Sequence, residues 1–418
     1  MSRADLLVHS AAQLCVVPPH DGGVQRGDRL GDLGLIENGS VACAGGMITA
    51  VGPADEVRSE WTADREIDAS GCVVCPGFVD AHTHVVWSGS RAGEFVQRIR
   101  GASYVKIMEA GGGIMSTVRS TREAPVEELV AESSPRLKRM LAHGTTTADV
   151  KSGYGLTVED ELKQLEAIRA LDNCQPVSLV PTFLGAHAVP AESFEDPDAY
   201  VDLVIGEMLP AVAALPKPPR FCDVFCDVGA FTLDQTRRVL EAARDLGFDL
   251  KLHVDEFEAL GATSLAVELG ATSVDHVVCT PPDELRRLAK SDVVAVSLPT
   301  TTFGLGHHDY TPAKPFLDAG GILALATDNN PGTSPCESMP FVIALACRYL
   351  RVTPAQALVA ATLNAAAATG MADGIGSLQP GYAADLLVLD LPTIDHLGYG
   401  FGGNPVRAVI KGGRVVVG

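Results

Sequence analysis

Pro76-Gly77-Phe78-Val79-Asp80-Ala81-His82-Thr83-His84 decides how the rest of this chain is read. The stretch reads as a buried β-strand ending in two histidines spaced i, i+2. Side chains alternate faces along a strand, so His82 and His84 are expected to point into one cavity. Two neutral imidazoles converging from one short element supply half of a divalent-metal site. A bare His-x-His is also compatible with two unrelated histidines near a strand end. Downstream residues shift that balance: His253 stands on one apolar run and Asp328 ends another, with Glu256 and His276 close by in sequence.

Outward from this stretch the chain alternates. Apolar strand-like runs occur at 76–84, 145–150, 177–183, 221–227, 249–254, 272–278, 293–297 and 322–327. Helical patterns separate them at about 124–143, 157–171, 198–214, 232–246, 259–269, 281–290 and 312–319, with a last one at 335–350. Eight parallel strand–helix repeats indicate an α/β fold, a (β/α)8 TIM barrel. The rival is a doubly wound open sheet. It calls for a glycine-rich phosphate turn after the first strand, where His82-Thr83-His84 stands instead. In a barrel the chemistry gathers where strands end at the C-terminal face. His82 and His84 end the first strand, Lys151 follows the second and His187 the third. His253 and Glu256 end the fifth, His276 the sixth and Asp328 the eighth. Random placement would scatter these residues over both ends and the helices.

Both chain ends read as short strands between turns, including Asp5–Val8, Ser40–Ala44, Met47–Val51 and Glu66–Asp68 at the start. Ala384–Leu389, Val406–Ile410 and Arg414–Val417 follow at the other end. The simplest arrangement is one small β-sandwich built from 1–75 and 376–418, with the barrel of 76–375 inserted between them.

The formal charge of -20, with 52 acidic against 32 basic residues, argues against nucleic acid and anionic membrane surfaces as partners. No run approaches the roughly 20 apolar residues that a membrane helix needs, and no targeting segment is visible, so the expectation is a soluble cytoplasmic protein. The ten cysteines show no framework spacing and read as reduced thiols. Cys72-Val73-Val74-Cys75 matches a paired-cysteine motif but has no second pair. His307-His308 reads as an exposed loop.

The chemistry follows from the residue types. His82, His84, His253 and Asp328 offer three neutral nitrogens and a carboxylate, a set that suits Zn²⁺ or Fe²⁺ better than Mg²⁺ or Ca²⁺. Such a site holds a divalent metal, keeps a position for a water and acidifies it. Glu256 lies three residues beyond one ligand and is a candidate for proton transfer; a solvated loop carboxylate is the plain alternative. His276 is a candidate to stabilise developing charge, or else a hydrogen-bonded core histidine.

This constellation resembles the metal-dependent amidohydrolase superfamily. Longer strings narrow the resemblance to the imidazolonepropionase family. They include Gly89-Ser90-Arg91 with Glu94-Phe95, Gly111-Gly112-Gly113-Ile114, Val150-Lys151-Ser152-Gly153-Tyr154-Gly155-Leu156 and Thr182-Phe183-Leu184-Gly185-Ala186-His187. Asp223-Val224-Phe225-Cys226 and Thr327-Asp328 with Asn330-Pro331-Gly332 belong with them. The resemblance implies hydrolysis of a small molecule, 4-imidazolone-5-propanoate, to N-formimino-L-glutamate, the ring-opening step of histidine degradation. It implies the ligands His82, His84, His253 and Asp328 around one metal, and catalytic roles for Glu256 and His276. It implies substrate contacts from Arg91, Tyr104, Tyr154, His187, Glu256, Asn330, Gly332 and Thr333, and a homodimer. Lys151 stands near where binuclear relatives carry a carboxylated lysine; with one metal implied, it is read as structural. Asn329 occupies a place where an apolar or aromatic residue is expected. The alternatives are a deaminase of the same superfamily acting on another nitrogen heterocycle, and a barrel that serves as a non-catalytic scaffold.

Overall fold

A computed structural model describes residues 1–102 and 111–418. Eight parallel strands form one sheet in strict chain order. They follow five strands of the N-terminal segment, β1 (Ser2–Leu14), β2 (Ile36–Ala44), β3 (Met47–Pro53), β4 (Trp61–Asp68) and β5 (Val73–Pro76). The parallel set is β6 (Phe78–Asp80), β7 (Thr145–Lys151), β8 (Ser178–Ala186), β9 (Phe221–Cys226), β10 (Asp249–Val254), β11 (Ser273–His276), β12 (Val294–Ser297) and β13 (Leu323–Leu325). Each of the eight apolar runs in the sequence overlaps one of these strands; β7 and β8 continue past their runs to Lys151 and Ala186.

The first strand is shorter than its sequence pattern. Regular pairing stops at Asp80, and residues 81–84 run on with only an isolated bridge from Thr83 to Asn329. The reason is closure. Asp328 N donates to His82 O (3.1 Å) and His84 N donates to Asn329 O (3.0 Å), while Lys151 N donates to Thr83 O (2.9 Å). The segment thus serves two neighbours at once, joining the last strand to the first where the histidines sit. Asp80 reinforces the seam: its buried carboxylate accepts from Thr327 N (3.0 Å) and Thr327 Oγ1 (2.6 Å). On the outside, the alanine-rich helix Leu363–Ala368 packs on β6, β12 and β13 and covers the same seam.

Strand alternation sorts the barrel. On β7, Thr147, Asp149 and Lys151 share one face, and on β10 Lys251 and His253 do likewise. These side chains meet inside, so the barrel interior near its C-terminal face is charged rather than apolar. Helices pack outside, including Val126–Ala142, Val158–Cys174, Leu233–Asp245 and Pro282–Ala289. Helices at Ala92–Ile99, Ile114–Glu123, Pro299–Leu305 and Pro354–Ala360 add to those expected from the pattern.

The chain ends build a second, mixed sheet. Its three C-terminal members are β14 (Leu386–Leu389), β15 (Val406–Lys411) and β16 (Arg414–Val417). The order is β16-β15-β14-β5-β1-β2-β3, with β4 paired to β1. Period-two patterning gives each central strand two buried faces. Val73, Cys75, Leu387, Leu389 and Val409 belong to the barrel-side core. Cys72, Val74, Leu386, Val388 and Ile410 pack in the sheet's own cluster. Burying each such Val or Leu contributes about 1.5–3 kcal/mol. Cys72 and Cys75 therefore point to opposite sides, too far turned from each other to share an ion. All ten cysteines are free thiols. Among the described residues, no helix is long and apolar enough to cross a membrane.

Candidate metal centre and substrate wall

His82 and His84 bring their Nε2 atoms within 3.1 Å of each other. His253 Nε2 lies 3.4 Å from His84 Nε2, and Asp328 Oδ1 lies 3.4 Å from His82 Nε2 and 3.5 Å from His84 Nε2. Four donors bonded at about 2.0–2.2 Å to one tetrahedral ion would stand roughly 3.4 Å apart, so these separations fit. Protonation supports the same conclusion. His82 Nδ1 is 2.7 Å from Asp275 Oδ2, and His253 Nδ1 is 3.0 Å from Asp223 Oδ1. A carboxylate only accepts, so each Nδ1 carries the proton and each Nε2 turns a lone pair to the centre. Burial holds His82 and His84 well below the ordinary histidine range, which keeps them neutral and able to ligate. Burial also pushes the Asp328 carboxyl up to about 6, a cost that a dication beside it would reverse. Lone pairs and a carboxylate converging in a dry pocket are a cation site.

The backbone is bent to make this happen. Asp328 (φ 51°), Asp255 (φ 53°), His276 (φ 78°) and Val277 (φ 54°) all occupy the left-handed region that side chains disfavour. Strained residues of this kind cluster at functional sites. Thr301 Oγ1 fixes Asp328 by donating to its Oδ2 (2.6 Å).

Glu256 and His276 meet beside the cluster, with Glu256 Oε2 3.6 Å from His276 Nε2. Burial, with the Asp328 and Asp227 carboxylates nearby, holds Glu256 well above the ordinary carboxylate range. Burial keeps His276 well below its own. His187 stacks on His84 at 4.9 Å, and the Tyr154 ring lies 5.3 Å from His187 and 5.8 Å from His84. His187 Nδ1 donates to Gly153 O (2.9 Å), which leaves Nε2 as an acceptor. Arg91 Nε donates to Glu94 Oε2 (2.9 Å). Gly332 makes room for it: a Cβ there would stand 2.2 Å from Arg91 Nη1. The Asn330 side chain is spent on its own loop, with Oδ1 accepting from Gly332 N and Thr333 N (2.8 Å each) and Nδ2 donating to Thr333 Oγ1 (2.9 Å). Tyr104 lies outside the described residues. His307 and His308 are exposed. Asn329 is buried with its Nδ2 against Met140 Sδ (3.6 Å).

The sequence profile of the amidohydrolase family matches residues 73–416. An imidazolonepropionase of Herpetosiphon aurantiacus is 55% identical over 422 residues, spanning 100% of this chain and 98% of that one. This chain belongs to the imidazolonepropionase family. A second imidazolonepropionase, from Chloroflexus aggregans, is 51% identical over 427 residues, covering 100% of this chain and 99% of its own. Solved structures give the fold at lower identity. A zinc-bound adenosine deaminase from Xanthomonas campestris superposes with a TM-score of 0.73 at 20% identity, covering 99% of this chain and 93% of that one. A zinc-complexed atrazine chlorohydrolase from Arthrobacter aurescens superposes with a TM-score of 0.69 at 18% identity, over 99% and 95%.

In this imidazolonepropionase-family chain, Lys151, read from the sequence as structural, sits among carboxylates that no motif singles out. Lys151 Nζ lies 2.7 Å from Asp223 Oδ2, 3.3 Å from Asp275 Oδ2 and 3.4 Å from Asp149 Oδ1. Lys251 Nζ reaches Asp149 Oδ2 at 2.7 Å. Burial alone would strip the Lys151 proton, but these carboxylates outweigh it and hold the amine well above its ordinary range. The ammonium thereby ties Asp149, Asp223 and Asp275 together beneath the histidines. Asp227 is a second support: it accepts the N–H groups of Glu256, Phe257 and Glu258 (2.7, 3.0 and 3.0 Å) and so sets the Glu256 loop. The signal for the barrel group was present, because Asp149-x-Lys151 and Lys251-x-His253 repeat the i, i+2 spacing of His82-x-His84.

Proposed function

We infer that this chain hydrolyses 4-imidazolone-5-propanoate to N-formimino-L-glutamate, the reaction its family carries. The observation that carries the mechanism is the meeting of three lone-pair nitrogens, one aspartate and the Glu256–His276 pair at the C-terminal face of the barrel. His82, His84, His253 and Asp328 would hold the ion. A divalent cation bound there acts as a Lewis acid and lowers the pKa of a water from near 16 towards roughly 7. Zn²⁺ and Fe²⁺ are the ions that this donor set suits.

Glu256 then moves the proton. Its carboxylate takes a proton from the attacking water and delivers it to the ring nitrogen as the carbonyl carbon–nitrogen bond breaks. His276, on the same side, supports the charge that develops on the carbonyl oxygen. Tyr154, which burial keeps protonated, donates to the ring, and His187 Nε2 accepts from a ring N–H. Arg91 binds the propanoate through the Nη atoms that Glu94 leaves free. Gly332 and Thr333 shape the loop that Asn330 ties together. We further propose that 76–375 is the catalytic unit, that 1–75 and 376–418 brace it, and that the enzyme works as a cytoplasmic homodimer with its thiols reduced. The family resemblance supports the dimer, and sedimentation equilibrium tests it.

Purified protein is expected to bleach the imidazolone's ultraviolet absorbance and to leave a panel of nucleobases untouched. About one metal ion per chain should be found, and removing it with a chelator should abolish turnover. Turnover of a nucleobase instead would replace this reading with a deaminase. Arg91→Ala is expected to raise KM by roughly 10–100-fold, the worth of a lost charged hydrogen bond, with kcat little changed. An unaltered KM would remove Arg91 from the propanoate.

A further inference from the structure

We propose that Glu161 is the positioning residue that fixes the substrate-facing wall, setting Tyr154 and His187 together from a place that touches neither the ion nor the substrate. This rests on the site reading above. Glu161 lies in the first turn of the helix Val158–Cys174 and is fully buried. Among the described residues, no Lys, Arg or His pairs with it. Its carboxylate is instead given to the preceding loop: Gly153 N donates to Oε2 (3.1 Å), and Gly155 N and Leu156 N donate to Oε1 (2.8 and 2.9 Å).

Neighbouring loop groups are held as well. Tyr154 N donates to Gln164 Oε1 (2.9 Å), one turn further along the same helix, and Gln164 Nε2 donates to Val86 O (2.8 Å). Arg122 Nε donates to Gly155 O (2.7 Å) and its Nη2 to Leu156 O (3.3 Å). Gly153 O receives His187 Nδ1 (2.9 Å). Four consecutive N–H groups therefore end on two side chains of one helix, in a stretch where Gly153 (φ 103°) and Leu156 (φ 55°) hold left-handed backbone. A chain bent this way relaxes unless the surroundings over-determine it. Burying an unpaired carboxylate is costly, and three N–H donors with a helix N-terminus beside it are what offset that cost here. Gly153 O, which sets the ring orientation and tautomer of His187, sits in the peptide whose Tyr154 N–H Gln164 holds, and the Glu161 carboxylate pins the N–H groups of Gly153 and Gly155 on either side of it. Through the residues flanking Tyr154 the carboxylate fixes the phenol.

Glu161→Gln replaces one acceptor oxygen with an amide that faces backbone donors. KM for the imidazolone is expected to rise at least about 10-fold, with kcat within about 3-fold and one metal per chain retained. Tyr154→Phe should then cost less in the Glu161→Gln background than in the wild type, because the phenol is already displaced. A wild-type KM, or strictly additive effects of the two changes, overturns the inference. So does a loss of activity matched by equal losses of metal and of cooperative unfolding. Should Glu161→Gln fail to fold, Gln164→Ala frees the Tyr154 amide alone and has to raise KM; an unchanged KM again overturns it. A wild type inactive on the imidazolone defeats the proposed function, whereas an active wild type beside an unaltered Glu161→Gln defeats this inference only.

Discussion

Glu256→Gln should lower kcat by about 10²–10⁴-fold while the protein keeps its fold and its one metal per chain. The substitution is nearly isosteric and removes only the ability to take up and return a proton. Glu256 is well placed for that task. It is half-buried and 3.6 Å from His276 Nε2, and it stands on a loop whose three N–H groups end on Asp227. Burial, with Asp328 and Asp227 nearby, raises its proton affinity, so it is a stronger base than a surface glutamate. The backbone that Asp227 holds is unchanged in the variant, so KM should move little. Substantial residual turnover, with metal content verified, would hand the proton transfer to another group.

Lys151→Met is the second change with a large expected effect, and it acts without touching the metal or the substrate. The ammonium joins Asp223, which holds His253, to Asp275, which holds His82. Removing it leaves carboxylates buried without their counter-charge, a loss of about 3–5 kcal/mol in stability when one partner of a buried pair is deleted. The imidazoles would lose the carboxylates' fixed orientation, and weakening such outer partners typically costs 10–100-fold in metal affinity. Chelator competition measures the affinity directly, and thermal melts of the metal-free forms separate it from folding. Unaltered metal affinity in a folded Lys151→Met would reduce the lysine to a space-filling role.

Much of this arrangement was legible in the amino-acid order, for identifiable reasons. Barrel strands are buried on both faces, so each left a dense apolar run, and the residues just past those runs were gathered at one rim by topology alone. His82, His84, His253, Asp328, Glu256 and His276 could be placed together in that way. The extent of the first strand could not, because residues 81–84 close the barrel and share their hydrogen bonds between two neighbours. Pro354–Ala360 and Leu363–Ala368 have no legible pattern in the sequence, because short, largely apolar helices carry no amphipathic stripe. Asp149, Asp223 and Asp275 carry no signal of their pairing in the sequence, because a carboxylate on an apolar strand has no visible partner until distant strands are assembled. Asn330, a substrate contact by resemblance, has its amide engaged with the turn it sits in, a use that no spacing announces.

The seam between the first and last strands has a consequence for biosynthesis. Its hydrogen bonds run from His82 and His84 to Asp328 and Asn329, which leave the ribosome some 240 codons later. A nascent chain carries the paired imidazoles early, but without the aspartate and the final strand it has no cage in which to trap an ion. The donor set is therefore complete only once the final barrel strand has been made.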